Sequence, residues 1–153
     1  MGQLLETIKQ FFKEENWSFI ESEVDTGLIL KSGGKNGQWN CYARVNEEES
    51  QFIFYSYAPV SVPESNYTSV TEYITRANFG LIIGNFELNF ITGTIQYKTS
   101  IDMKGEESKL SSALIRHLVY TNVVTMDKYL PGFNLILEGK STAEQAITYI
   151  EEQ

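Results

Sequence analysis

Cysteine, histidine, proline and long apolar runs are all scarce in this chain of 153 residues. One cysteine, Cys41, allows no internal disulfide, and a single cysteine with a single histidine is a poor basis for a metal site. No run approaches the roughly 20 apolar residues of a membrane-crossing helix. Bases are the minority charge, 12 Lys and Arg against 20 Asp and Glu, for a net charge of −8. Such a chain repels phosphate backbones and anionic lipids, so neither nucleic acid nor a membrane is an expected partner. The opening "MGQLLETIKQFFKEEN" breaks its apolar positions with acids and lysines and lacks the continuous apolar region and cleavage site of a signal peptide. Glu6 stands where a myristoylation signal wants Ser or Thr. A cytoplasmic protein of a reducing compartment is the expectation, with no cofactor and no metal.

What is present is a globular composition, 42% hydrophobic and 13% aromatic. At this length it fits one domain over residues 1–153. Leu4, Leu5, Ile8, Phe11 and Phe12 recur on one face of a helix over 2–14, which Asn16 ends. "WSFIESEV", "LILKS", "QWNCYARV" and "QFIFYSYA" then read as four strands of a meander, separated by the turn compositions "DTG", "GGKNG" and "NEEES". "FIFY" is apolar at every position and predicts an interior strand covered on both faces. "PVSVPES" breaks the ladder. Val70, Tyr73, Ile74 and Ala77 space as a middle helix, with Gly80 as its C-terminal cap.

"FELNF" and "TIQYKTSI" predict a hairpin turning at Thr92-Gly93, with Phe86, Leu88, Phe90, Ile95, Tyr97 and Ile101 on its buried face. A long helix starts near Lys109, is kinked or stopped at Pro131-Gly132, and is followed by a last helix over 142–151. The class is α+β: a twisted antiparallel sheet with an N-terminal, a middle and C-terminal helices packed against it.

Several stretches resemble chemistry and are better explained by folding. Gly139-Lys140-Ser141-Thr142 has the tail of a phosphate-binding loop, but the required earlier glycine is Asn134. Ser141 and Glu144 instead predict a capping box. "GGKNG" leads into a strand and reads as a hairpin connection rather than a phosphate cradle. Cys41 reads as a buried structural thiol, His117 as an ordinary lone histidine, and the pairs and runs of glutamates as solvated charge. No catalytic residue is legible, and a non-enzymatic protein is expected. The aromatic load, including Tyr55, Tyr57, Phe79, Phe86, Trp17 and Trp39, belongs mainly to the core, with some members free to line a groove or subunit interface.

The stretches "NGQWNCYARV", "QFIFYSYAPVSVPE", "TEYITRANFGLIIGNFELNF", "IQYKTSID" and "LVYTNVVTMDKYLPG" resemble YbjN-domain proteins, especially cyanobacterial ones. That family is filed as bacterial sensory transduction regulators, and its fold is similar to type III secretion chaperones. The resemblance runs roughly from Trp17 to Pro131 and is most specific in "TRANFGLIIGNFE". It implies a protein-binding or regulatory module, chaperone-like or in sensory transduction, often homodimeric. In the related folds the middle helix and later strands serve self-association, and the first helix with neighbouring strands serves an extended partner. Carried onto this sequence, these implications point to Tyr73, Ile74 and Ala77 for the dimer and to Phe11, Phe12 and Trp17 for an unidentified protein partner. The competing expectation is a small-molecule sensor with a pocket between the sheet and the long helix, near Tyr120 or Asn122.

Overall fold

A computed structural model describes residues 2–153. Its elements run α1 (Gln3–Glu14), β1 (Ile20–Glu21), β2 (Gly27–Gly34), β3 (Gly37–Asn46), β4 (Gln51–Ser61), α2 (Tyr67–Gly80), β5 (Asn85–Leu88), β6 (Thr94–Asp102), α3 (Ser112–Leu137) and α4 (Ala143–Glu151). The strands form one antiparallel sheet in the order β1-β2-β3-β4-β6-β5. The α+β expectation therefore holds, including the β1–β4 meander and the β5–β6 hairpin.

Strand alternation sorts the side chains. Leu28 and Leu30 of β2, Trp39, Cys41, Ala43 and Val45 of β3, Phe52 and Phe54 of β4, and Ile95 and Tyr97 of β6 are all buried on one face. Against it pack Leu4, Ile8, Phe11 and Phe12 of α1 and Ile115, Val119, Met126 and Phe133 of α3. The other face carries Ile53, Tyr55 and Tyr57, which are half-buried, and no helix of the described residues covers it. β4 is thus interior in the sheet but covered on one side only. Its second apolar face packs laterally instead, with Tyr55 stacked on Tyr57 at 5.9 Å and paired across the ladder with Tyr42.

Other departures are local. β4 runs on past Pro59 to Ser61, because the register slips between Tyr57 and Ser61 and the proline falls in that bulge. β5 stops at Leu88, so Phe90 lies in the turn, 64% exposed and stacked on Tyr67 instead of inside. The first predicted strand shrinks to Ile20–Glu21.

α3 continues through Pro131 as one helix. Proline has no N–H for the Asp127 carbonyl, four residues back. The Asn36 side-chain amide fills that vacancy, donating to the Asp127 carbonyl at 2.9 Å. α3 then ends at a left-handed Gly139 (φ 70°), where the Gly139 and Lys140 N–H groups bond back to Ile136 and Leu135. The capping box of α4 lies one residue later than expected. Thr142 and Gln145, not Ser141 and Glu144, bond reciprocally at 3.1 and 3.0 Å. The two-residue C-terminal turn uses up Gly139 and Lys140, and the chain needs Ser141 to reach the extended N-cap position.

Candidate functional site

A sheet must do something with the backbone groups along its outer strands. In an antiparallel pair, alternate residues point N–H and C=O to the same neighbour. The Thr26 carbonyl accepts from Val45 of β3, while the Gly27 carbonyl accepts from Ser22 on the β1 side. Even-numbered β2 residues thus bond β3, and Ile29, Lys31 and Gly33 face outward. β1 pairs with β2 only at Ile20–Ile29 and Glu21–Leu28. Beyond that point the chain peels away, and the outward groups of Lys31 and Gly33 lie along an open edge.

The fork between the peeling segment and β2 is a groove of about 600 Å³, lined by residues including Trp17, Phe19, Ile20, Ile29, Lys31 and Asn40. Ile20 and Ile29 are exposed at its rim, 71% and 47%.

The peeling has a cause. α1 ends at Asn16 in the left-handed region (φ 61°), with Trp17 N–H bonded to the Phe12 carbonyl. This turns the Trp17 ring towards α3, where it meets Phe12 and Phe54 edge-on or tilted. Its Nε1 donates to the Tyr120 hydroxyl at 3.1 Å, and that hydroxyl donates to Glu15 at 3.1 Å. Arg116 pairs with the same Glu15 at 3.1 Å and lies over the Phe11 ring. The Arg116 guanidinium, donating to Glu15, holds its carboxyl below the usual carboxylate range, with the Tyr120 hydroxyl adding to the effect. Burial pushes the Tyr120 phenol up, and the adjacent Glu15 charge reinforces the shift.

The opposite edge is built differently. Asn89 N–H bonds to Thr94 of β6, so Phe86 is among the β5 residues whose backbone faces away from β6. The side-chain amide of Asn78, from α2, receives the Phe86 N–H at 2.8 Å and donates to its carbonyl at 3.0 Å. It stands in for a neighbouring strand.

The glycine-rich and acidic stretches resolve into internal contacts. "GGKNG" is the β2–β3 hairpin connection, with Gly34 opposite Gly37. Its Lys35 and Asn36 N–H groups do cradle an anion, but it is the chain's own Asp127 carboxylate, at 3.2 and 2.8 Å. A methyl group at Gly34 would overlap that carboxylate, which is why glycine stands there. Glu47 similarly accepts from the first amides of α1, Leu4 and Leu5, at 3.2 and 2.9 Å. Glu107 accepts from Ser50 at 2.6 Å. These two acids are structural partners rather than the solvated charge the sequence suggested. Burial pushes the Cys41 thiol up to about 12, a group with no tendency to ionise near neutrality. His117 is exposed. Among the described residues no cluster of His, Cys, Asp and Glu could hold a metal ion.

The residues singled out from the sequence fall in distinct places. Phe11 and Phe12 are inside, 2% and 0% exposed, and form the floor beneath Trp17. Trp17, half-buried, is the one of the three that lines the groove. Tyr73 and Ala77 are fully buried and Ile74 nearly so within the chain's own core. Tyr73 donates to the Tyr129 carbonyl at 2.8 Å and stands edge-on to Phe133, locking α2 onto α3. The exposed apolar side chains of this region come just after them: Phe79 at 95% and Ile82 at 93%.

Asn122 is buried between α3 and the sheet, its amide donating to the Phe54 and Tyr97 carbonyls, and Tyr120 is engaged with Trp17 and Glu15. Neither lines any of the larger grooves described, all of which open on the surface. The open edge itself was missed from the sequence. Its only sequence trace is the run Lys31-Ser32-Gly33-Gly34, a strand end with a charge and little side-chain bulk.

A family model described as "Putative bacterial sensory transduction regulator" (YbjN) matches residues 4–135. No curated protein is matched by the chain. Among solved structures, E. coli YbjN, described as "a putative transcription regulator", superposes with a TM-score of 0.62 at 10% identity, over 87% of each chain. A chain of the ExsC–ExsE complex superposes with a TM-score of 0.56 at 10% identity, over 86% of this chain and 96% of that one. At such identities the likeness is one of fold.

Proposed function

The chain belongs to the YbjN family, and on that premise we propose that it is a protein-binding regulatory module without catalysis of its own, acting in the cytoplasm. The observation that carries this reading is the open β2 edge beside an apolar groove, in a sheet whose other edge is capped at Phe86 by Asn78. An unpaired backbone edge next to apolar walls offers both the hydrogen bonds and the buried area that protein recognition uses. A structural neighbour known from a two-protein complex supports the same mode. Among the described residues no helix is long and apolar enough to cross a membrane.

Self-association is the second part of the proposal. Tyr73, Ile74 and Ala77 contribute to it from inside, by fixing α2, while Phe79 and Ile82 supply the exposed apolar contact. Light scattering of the purified chain is expected to give a dimer that Phe79→Asp with Ile82→Asp converts to monomer. A native chain that stays monomeric at high micromolar concentration would remove this part.

The binding reading is tested by affinity capture from native cytoplasm, beside an Ile20→Asp, Ile29→Asp variant. Both positions are on the groove rim and exposed, so the fold is retained. The expected outcome is a specific partner lost in the variant. Phe11 and Phe12 are unsuitable for this comparison because truncating them opens the core. An identical captured set would remove the reading.

A further inference from the structure

Resting on the protein-binding reading, we infer that the partner docks as a single extended strand, antiparallel to β2, carrying an acidic residue between two apolar ones. Three observations fix this chemistry. The outward N–H and C=O groups of Lys31 and Gly33 form a ladder half, extending the line that β1 joins only at Ile20. From Leu30 to Gly34 this edge spans about 13 Å at the usual strand rise, enough for about four paired residues.

Side-chain parity then assigns each incoming position. Residues directly opposite across a ladder share a face. A residue opposite Lys31 lies with it on the uncovered face; its two neighbours, opposite Leu30 and Ser32, point to the helical face, where Trp17 and Leu30 line the groove. Those neighbours meet an apolar wall.

Charge decides the central position. Lys9, Arg44, Lys98 and Arg116 are each paired with an acid. Lys31 is exposed and, like Lys13, Lys35, Lys104 and Lys128, forms no ion pair among the described residues; of these five it is the one that lines the groove. An incoming Asp or Glu meets an uncommitted ammonium there. A base at that position would have the net charge of −8 in its favour at long range, but a like charge directly across the ladder against it.

The test is selection of a displayed random dodecapeptide library against the native protein, followed by affinity measurement on the synthesised winners. The expected consensus is apolar–acid–apolar. Selection against Lys31→Glu, an exposed change that leaves the fold intact, is expected to replace the acid by Lys or Arg. N-methylation of the acidic residue's amide, which faces the Lys31 carbonyl, is expected to weaken binding about tenfold, while methylating either neighbour leaves it unchanged. Gly33→Pro removes one outward N–H at an edge position and is expected to weaken binding severalfold; its Cβ would stand 3.1 Å from the Gly37 carbonyl oxygen, so binding is compared at a temperature where thermal unfolding shows the variant folded.

Winners without alternation, an unchanged consensus on Lys31→Glu, or indifference to which amide is methylated would each overturn the strand inference. If native capture still yields a partner that Ile20→Asp, Ile29→Asp loses, the protein-binding reading survives such a result. If capture yields nothing specific, both fall.

Discussion

At the β5 edge, the outward N–H and C=O of Phe86 are both taken by one asparagine side chain from α2; at the β2 edge, Lys31 and Gly33 face a groove with β1 already gone. The same sheet is therefore capped at Phe86 on one side and left able to pair at Lys31 and Gly33 on the other. The difference traces to what the two adjoining helices are tied to. α2 is bolted to α3 through Tyr73, so Asn78 is held against β5. The end of α1 is tied to α3 through Trp17, Tyr120 and Glu15, and this draws the following segment off β2. A free strand edge is ordinarily something a protein conceals, so one kept open beside apolar walls points to use.

The sharpest way to damage the closed side is Gly132→Ala. A methyl group there would overlap the Tyr73 ring, and forcing α2 away should cost about 3 kcal/mol in urea unfolding. Asn78→Ala acts on the edge itself. It strands the Phe86 N–H and C=O and should cost about 2 kcal/mol, with new concentration-dependent aggregation seen by light scattering. If Asn78→Ala is silent in both, the edge is not closed by that side chain.

On the open side the lever is pH. Glu15 has its folded pKa depressed by Arg116, so its contribution is fully present above the ordinary carboxylate value of about 4.3 and is lost as pH falls through the lower, folded value. Acidification through that lowered value should therefore release the Trp17–Tyr120 tie and shift tryptophan emission, and Glu15→Gln should remove that acid step. The smallest effect is expected for Ile20→Asp with Ile29→Asp, within about 0.5 kcal/mol per site, since exposed positions contribute little to stability. A large loss there would mean that the groove is structural.

Much of this architecture was legible beforehand, for reasons visible in particular residues. The period of Leu4, Ile8, Phe11 and Phe12, the stop at Asn16, and the spacing of Val70, Tyr73, Ile74 and Ala77 all reappear as buried faces and a left-handed helix end. What failed was decided by non-local contacts. β1 shrank because Trp17 bonds to Tyr120, a residue about a hundred positions away in the chain. α3 ran through Pro131 because Asn36, from a distant hairpin tip, takes the carbonyl that proline cannot serve. The cap of α4 moved by one residue because the turn before it consumed Lys140, and Thr142→Ala should cost about 1 kcal/mol where Ser141→Ala costs almost nothing. The site was the least legible part, since an open edge is defined by a strand that is missing beside it.

The most direct measurement is amide hydrogen exchange along β2 by NMR, with and without a selected peptide. In the free chain Lys31 and Gly33 should exchange fast while Leu30, Ser32 and Phe86 are protected, and the peptide should slow Lys31 and Gly33 while leaving Phe86 as it was. Protection of Lys31 and Gly33 equal to that of Leu30 and Ser32 in the free chain, or no gain on binding, would contradict an open pairing edge.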